Sequence, residues 1–305
     1  MEGRCSYSAS AISKEEKVHH HKYEYRIDMD SDHVGPRICR MTGQGKRVLE
    51  IGAGPGSITR LLKEHGQCHV TAVELDSEAI EKLSAYCDRV YQCDLNTPDW
   101  PAAFSADTKF DVVVAADVLE HLYDPWATLR TMQSLLTDGG CLVVSLPHIG
   151  HQGLIASLAA GQFEYQDWGL LDRTHIRFFS IASMQRLFEN AGLKILEAEF
   201  LVRAPEFTEF AKEWANTPEI LKRSLEQCTY GRVYQVVIRA VPSSAAGRSI
   251  NLVDLAVPPL GPLLPEGASM GTRMRLGVKL IGRRFLSQRI RARLSEVLLR
   301  MGLRL

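Results

Sequence analysis

No run of about 18 or more consecutive apolar residues occurs in the 305-residue chain, so the sequence offers no bilayer-crossing helix. The opening "MEGRCSYSASAISKEEKVHHHK" lacks the apolar stretch of a secretory signal, and a cytoplasmic location is expected. There is no CxxC pair among the seven scattered cysteines, an odd number, which argues for reduced thiols against a disulfide framework or a zinc site. Net charge is missing too, with 36 Lys and Arg against 36 Asp and Glu. What is present, 45% hydrophobic residues, is enough to bury a substantial core and excludes disorder throughout.

The zero net charge hides an asymmetry. Residues 271 to 305 carry ten Arg and Lys against the single acid Glu296, a local charge of +9, so residues 1 to 270 carry −9. The tail is a separate electrostatic object.

Residues 1 to 22 have no period and read as a leader; the three histidines at 19 to 21 resemble a metal tract but fit solvated chain. A short helix is expected near Gly35 to Met41. Then β-type runs alternate with amphipathic stretches: "RVLEIG" (47 to 52), "HVTAVEL" (69 to 75), "RVYQCDL" (89 to 95), "FDVVVAAD" (110 to 117) and "CLVVSLP" (141 to 147), with helices near 56 to 65, 77 to 87 and 125 to 136. That spacing predicts an α/β fold with a doubly wound, mostly parallel sheet. A helix at 180 to 191, a strand at 193 to 203, a helix near 206 to 226 and a strand at 232 to 241 predict an antiparallel edge. Residues 242 to 271 have linker composition, and 272 to 305 a basic amphipathic helical pattern. One domain over 23 to 241 is expected.

The loop "VLEIGAGPGSIT" (48 to 59) follows the first strand and opens a helix, which puts bare backbone N–H groups beside a ligand. A dinucleotide cradle would place its third glycine at position 57, where this chain has Ser57. Glu74, ending the second strand, suits the two hydroxyls of a ribose, a feature shared by NAD and S-adenosylmethionine sites. Asp94 follows the third strand, where a carboxylate could accept from an adenine amino group. Asp117, Glu120 and His121 follow the fourth.

With "VLEIGAGPG", "YQCDLN", "FDVVVAADVLEHLYDP" and "LLTDGGCLVVSLP" in order, residues 45 to 203 resemble the class I S-adenosylmethionine-dependent methyltransferases, whose fold is Rossmann-like. The resemblance implies S-adenosyl-L-methionine as cofactor. It implies contacts from Glu50, Gly52, Ala53 and Gly54 in the loop, Glu74 and Leu75, Asp94 and Leu95, then Asp117 and His121, with Tyr25 closing over the sulfonium end. The stretches "YEYRID", "DVLEHLYDPW" and "GQFEYQDWGLLDRTHIRFFS" are similar to methyltransferases encoded among bacterial polysaccharide and lipopolysaccharide genes. For that group the implied work is methylation of a sugar hydroxyl on a cell-surface glycan or its lipid-linked precursor. Related stretches occur in enzymes of small natural products, which keeps a small-molecule acceptor, through oxygen or nitrogen, as the alternative.

Methyl transfer to a hydroxyl needs alignment and a base, and histidine has the suitable pKa. His175 lies three residues after Asp172, which could orient the ring. His148 and His151 follow the fifth strand and are the other two candidates; the bland reading of each is a loop hydrogen bond. Phe163, Tyr165 and Trp168 could stack on a sugar face, or simply pack. No Asp/Asp/Asn trio of a metal-assisted catechol enzyme stands out, so no metal is expected. The arginines and apolar residues of the tail suit an anionic membrane surface or a glycosyltransferase partner, with packing on the domain as the plain alternative. Nucleic acid is not expected, because the rest of the chain is acidic. A non-catalytic adaptor retaining the fold is the rival of another class.

Overall fold

The computed structural model describes residues 23–105 and 107–260. The strands β1 (Arg47–Ile51), β2 (His69–Glu74), β3 (Arg89–Gln92), β4 (Phe110–Ala116), β5 (Leu136–Pro147), β6 (Leu193–Val202) and β7 (Val233–Pro242) form one sheet. Their order is β3-β2-β1-β4-β5-β7-β6. The first five pair in parallel, and β7 lies antiparallel between β5 and β6. The expected doubly wound sheet with an antiparallel edge is therefore the fold of the chain.

Alternation along the strands explains why these apolar runs are continuous. Leu49, Ile51, Val113, Ala115, Leu142 and Val144 enter one core, and their neighbours Val48, Val112, Val114 and Val143 enter the other. The first core is closed by α4 (Pro125–Ser134) and α6 (Ile181–Asn190), through Leu129, Met132, Met184 and Phe188. The second is closed by α1 (Val34–Thr42) and α2 (Ser57–Glu64), through Ile38, Ile58, Leu61 and Leu62. Helix starts follow the local chemistry. Asp76 accepts from the N–H groups of Glu78 and Ala79 to begin α3 (Ser77–Leu83). Ser180 and Ser183 form a reciprocal capping box on α6.

The structure departs from the sequence reading in three places. A helix α5 (Gln152–Ala159) stands where none was expected, started by His151, whose ring accepts from the Gly153 N–H. The single helix expected near 206 to 226 is instead a short turn followed by α7 (Ala211–Asn216) and α8 (Glu219–Glu226). Thr217, at ψ 134°, takes the extended conformation that a following proline enforces, and this separates the two. Finally, the segment read as a linker begins inside β7 and then docks. The Ile250 N–H donates to the Ile195 carbonyl at 2.9 Å, and Leu252 is fully buried in the main core. The leader at 1 to 22 and the basic tail at 272 to 305 lie outside the described residues. Among the described residues no helix is long and apolar enough to cross a membrane.

Candidate active site

The turn from β1 into α2 runs at positive φ through Gly52 (62°) and Gly54 (55°). At Gly52 a Cβ would meet Val118 Cγ2 at 2.7 Å, so glycine lets the turn close against the end of β4. At Gly54 a Cβ would meet nothing within 4 Å, because that side opens on a cleft. The Glu74 carboxylate fixes the turn. One oxygen accepts the Gly54 N–H at 2.7 Å, and the other accepts the N–H groups of Leu75 at 2.8 Å and Asp76 at 3.0 Å.

This cleft, about 780 Å³, lies at the carboxyl ends of β1, β2 and β4. Its lining contains the carboxyl groups of Glu50, Glu74, Asp76, Asp117, Glu120 and Asp172 against one arginine, Arg203, itself paired with Asp32 at 2.6 Å. A pyrophosphate would be repelled there, and a cation attracted. Of the three donors to Glu74 none is charged, and a carboxylate has about four lone-pair directions, so acceptor capacity remains for a ribose. Open space at Gly54, the strand-end carboxylate and the negative lining together fit an adenosyl sulfonium. Tyr23, Tyr25 and Trp168 wall the cleft. Tyr25 N–H donates to Ser57 Oγ at 3.2 Å, which holds the segment before α1 across the glycine turn.

Burial sets the charge states. Glu50 accepts from Thr59 Oγ1 at 2.6 Å, and its pKa is pushed up to about 8 by desolvation. Asp117 sits at φ 54°, a strained conformation for a residue with a side chain. It is held there by the Ser145 hydroxyl, donating at 2.7 Å, and the Gln235 amide, donating at 2.9 Å, and burial raises its pKa.

Just beyond, Glu120, His121 and His175 come together. Glu120 is fully buried, and neither carboxylate oxygen has a hydrogen-bond partner. Desolvation, then the charge of Asp117, holds its pKa well above the carboxylate range. His175 Nε2 lies 3.9 Å from Glu120 Oε1, and the two imidazole rings meet edge to face at 4.7 Å. The segment turns at Asp172, with the His175 N–H donating to the Asp172 carbonyl at 2.9 Å.

The cleft thus gathers Tyr25, Glu50, Gly52, Ala53, Gly54, Glu74, Leu75, Asp117, His121 and His175 from the sequence expectations. It leaves out four. Asp94 accepts from the Asn96 N–H at 2.9 Å to hold a turn, and Leu95 packs on the core; neither lines the cleft. His148 and His151, expected as base candidates, do not reach the cleft. Both are buried outside the cleft lining, and burial depresses both to a pKa of about 4. His151 divides its ring nitrogens between the Arg203 carbonyl at 3.0 Å and the cap of α5. The sequence reading placed Glu120 past the fourth strand without giving it a role, and missed Gln235 as a site residue. Gln235 carried a faint signal: a polar residue inside the apolar strand "RVYQVVIRAV", opposite Pro147 at the end of β5.

Comparison with known proteins fits this geometry. A family model described as "Methyltransferase domain" matches residues 19–198. The ubiquinone biosynthesis O-methyltransferase of Aeromonas salmonicida is 27% identical over 169 residues, 54% of this chain and 70% of its own. The protein of the same name from Neisseria meningitidis serogroup C is 24% identical, over 61% of this chain and 77% of its own. Among solved structures, a SAM-dependent methyltransferase from Archaeoglobus fulgidus is 18% identical and covers 68% of this chain and 92% of its own, with a TM-score of 0.47.

Two outcomes follow from the site. Replacing Glu74 by Gln removes the charge and one of the two oxygens that clasp the turn. S-adenosylmethionine affinity, measured by calorimetry, falls about 10- to 100-fold, the worth of a charge-assisted hydrogen bond; an unchanged affinity would remove Glu74 from the site. Glu50 has a folded pKa near 8 against an ordinary 4.5, so the folded state keeps a proton the unfolded chain gives up, and stability falls as pH rises between those values. Glu50→Gln keeps the Thr59 bond without that loss. The melting temperature of the variant therefore gains on the parent progressively from pH 5 to pH 8, whereas a constant difference would show the carboxyl ionised throughout.

Proposed function

The chain belongs to the methyltransferase domain family, and from that premise we propose that it moves the methyl group of S-adenosylmethionine to a hydroxyl oxygen held at the Glu120, His121 and His175 end of the cleft. The observation that carries this reading is that one cleft contains both the clasped glycine turn and the histidine–carboxylate group.

The cofactor brings a methyl group already activated on a sulfonium, so what remains for the protein is alignment and removal of a proton. Glu74 offers its remaining lone pair to the ribose, and the carboxyl-rich lining favours the positive sulfonium. Tyr25 lines the cleft beside Ser57, and Tyr23 is tied down by its hydroxyl, which donates to Asp172 Oδ2 at 3.3 Å. As bare side chains, His175 is the base for the acceptor proton. Its Nδ1 is held by the Leu170 carbonyl at 3.2 Å, which leaves Nε2 as the basic nitrogen of the neutral ring. Such a base contributes about 10² to 10⁴ in rate.

A sugar hydroxyl of a cell-surface glycan or its lipid-linked precursor is the acceptor we favour. Trp168, half exposed on the cleft wall, supports it, since aromatic faces receive sugar rings. The names of the curated relatives favour a second reading, a small phenolic hydroxyl. The basic segment at 272 to 305 supports a peripheral position at the inner face of an anionic membrane, near a lipid-linked acceptor or its glycosyltransferase.

Two measurements test these points. Methyl transfer from labelled cofactor to a panel of lipid-linked sugars and phenols is expected to be strongest with the sugars, and His175→Gln lowers the rate at least 100-fold with cofactor affinity retained. Transfer confined to the phenols would move the assignment to the second reading, and an unaffected rate would remove His175. In vesicle co-sedimentation, the full chain pellets with anionic but not neutral lipid, and a chain ending at residue 260 does not; equal pelleting by both would dismiss the tail as an anchor.

A further inference from the structure

Glu120 poses a problem that hydroxyl alignment does not solve. It is a completely buried carboxylate, inside the cleft lining, with no hydrogen bond to either oxygen and no Lys or Arg paired to it among the described residues. A buried carboxyl without such partners is pushed toward its neutral form, and it keeps its charge when paired or when it coordinates a metal.

What surrounds Glu120 is a set of ligand atoms. Glu120, His121 and His175 each place one within 4.8 Å of the other two. Both rings are fixed from behind by backbone carbonyls. The Nδ1 of His121 is 3.1 Å from the Thr174 carbonyl, and that of His175 is 3.2 Å from the Leu170 carbonyl. A carbonyl can only accept, so in each neutral ring Nδ1 carries the proton and Nε2 the lone pair. An imidazole pinned this way is the usual second-shell arrangement of a metal-bound histidine. The two chain segments are also fastened to each other. The N–H groups of Ile176 and Arg177 both donate to the Glu120 carbonyl, each at 2.9 Å.

We propose that Glu120, His121 and His175 form a binding site for one divalent transition-metal ion, of the Zn²⁺, Mn²⁺ or Co²⁺ class. Two imidazoles and one carboxylate suit these ions better than Mg²⁺ or Ca²⁺, which prefer all-oxygen sets. Three protein ligands leave positions toward the cleft, as in sites that act on a substrate. Resting on the methyl-transfer reading, the ion would hold the acceptor oxygen and lower its pKa, so that the hydroxyl proton passes to solvent water as the O–CH3 bond forms and the S–CH3 bond breaks, and His175 would serve in the loaded protein as ligand rather than as base.

The experiment is a Co²⁺ titration of the metal-depleted full chain, followed by visible absorption, with Zn²⁺ and Mg²⁺ as competitors. His19, His20 and His21 are replaced by Ala so that the leader contributes no signal. One saturating equivalent per chain is expected, displaced by Zn²⁺ and not by Mg²⁺. Glu120→Gln and His121→Ala each weaken Zn²⁺ binding at least tenfold, with folding of each variant checked by circular dichroism. The absence of a saturable equivalent in the parent, or unchanged affinity in both folded variants, overturns the proposal. Calorimetry with S-adenosylmethionine separates this from the parent reading: cofactor binding without metal binding sinks only the metal site, whereas loss of cofactor binding counts against the active-site assignment itself.

Discussion

Three backbone N–H groups converge on the Glu74 carboxylate, from Gly54 on one side and from Leu75 and Asp76 on the other. Glycine turns at positive φ have no side chains of their own to hold them, so the shape of this one is set by what its amides bond to. Because β1 and β2 are parallel neighbours, their carboxyl ends lie side by side, and one side chain at the end of β2 can span to the turn after β1. The consequence reaches further than the turn. Ser57, the first residue of α2, donates to the Tyr23 carbonyl and accepts from Tyr25, so the segment that roofs the cleft is hung on the same structure. None of the partners of Glu74 is charged, which leaves its negative charge directed at whatever occupies the cleft.

Legibility in the sequence followed burial. Strands buried on both faces must be apolar, so β1, β4 and the second half of β5 were visible as runs, whereas β3 and β6 are part exposed and carry polar residues; the acid closing β2 was visible as an interruption. Positions just past strand ends were less readable. Asp94 and Asp117 look alike on paper, each an acid after an apolar run, yet Asp117 is drawn into the cleft by Ser145 and Gln235, while Asp94 is used up in a turn. His148 and His151 occupy the edge where ligands bind in such sheets, but the chain turns at that point into α5, and both rings go inward. The grouping of Glu120 with His175 was hidden altogether. It depends on Ile176 and Arg177 bonding to the Glu120 carbonyl, a tertiary contact with no local pattern. The end of α7 shows the same limit in reverse: a proline was present to be read, and the helical period masked it.

Charge decides between the ligands that such a loop can hold. A glycine turn opening a helix is suited to phosphate by its amides alone, and the dipole of α2 adds to that preference. Here the lining overrides it, because the carboxyl groups face a single arginine already neutralised by Asp32. Burial moderates the cost. Glu50 and Glu120 are pushed toward their neutral forms, so the cleft does not hold every negative charge its composition suggests, and the charge is concentrated near the clasped turn.

That distribution bears on turnover as well as binding. The cofactor enters with a positive sulfonium and leaves as an uncharged thioether, so any interaction that depends on the positive charge is present before transfer and absent after it. A lining of fixed carboxylates would therefore bind the reactive form more tightly than the spent one, while a ribose hydrogen bond to Glu74 would be the same for both. Glu74 would serve both ends, its charge favouring the sulfonium form and its remaining lone pair holding the ribose of either form in the same place.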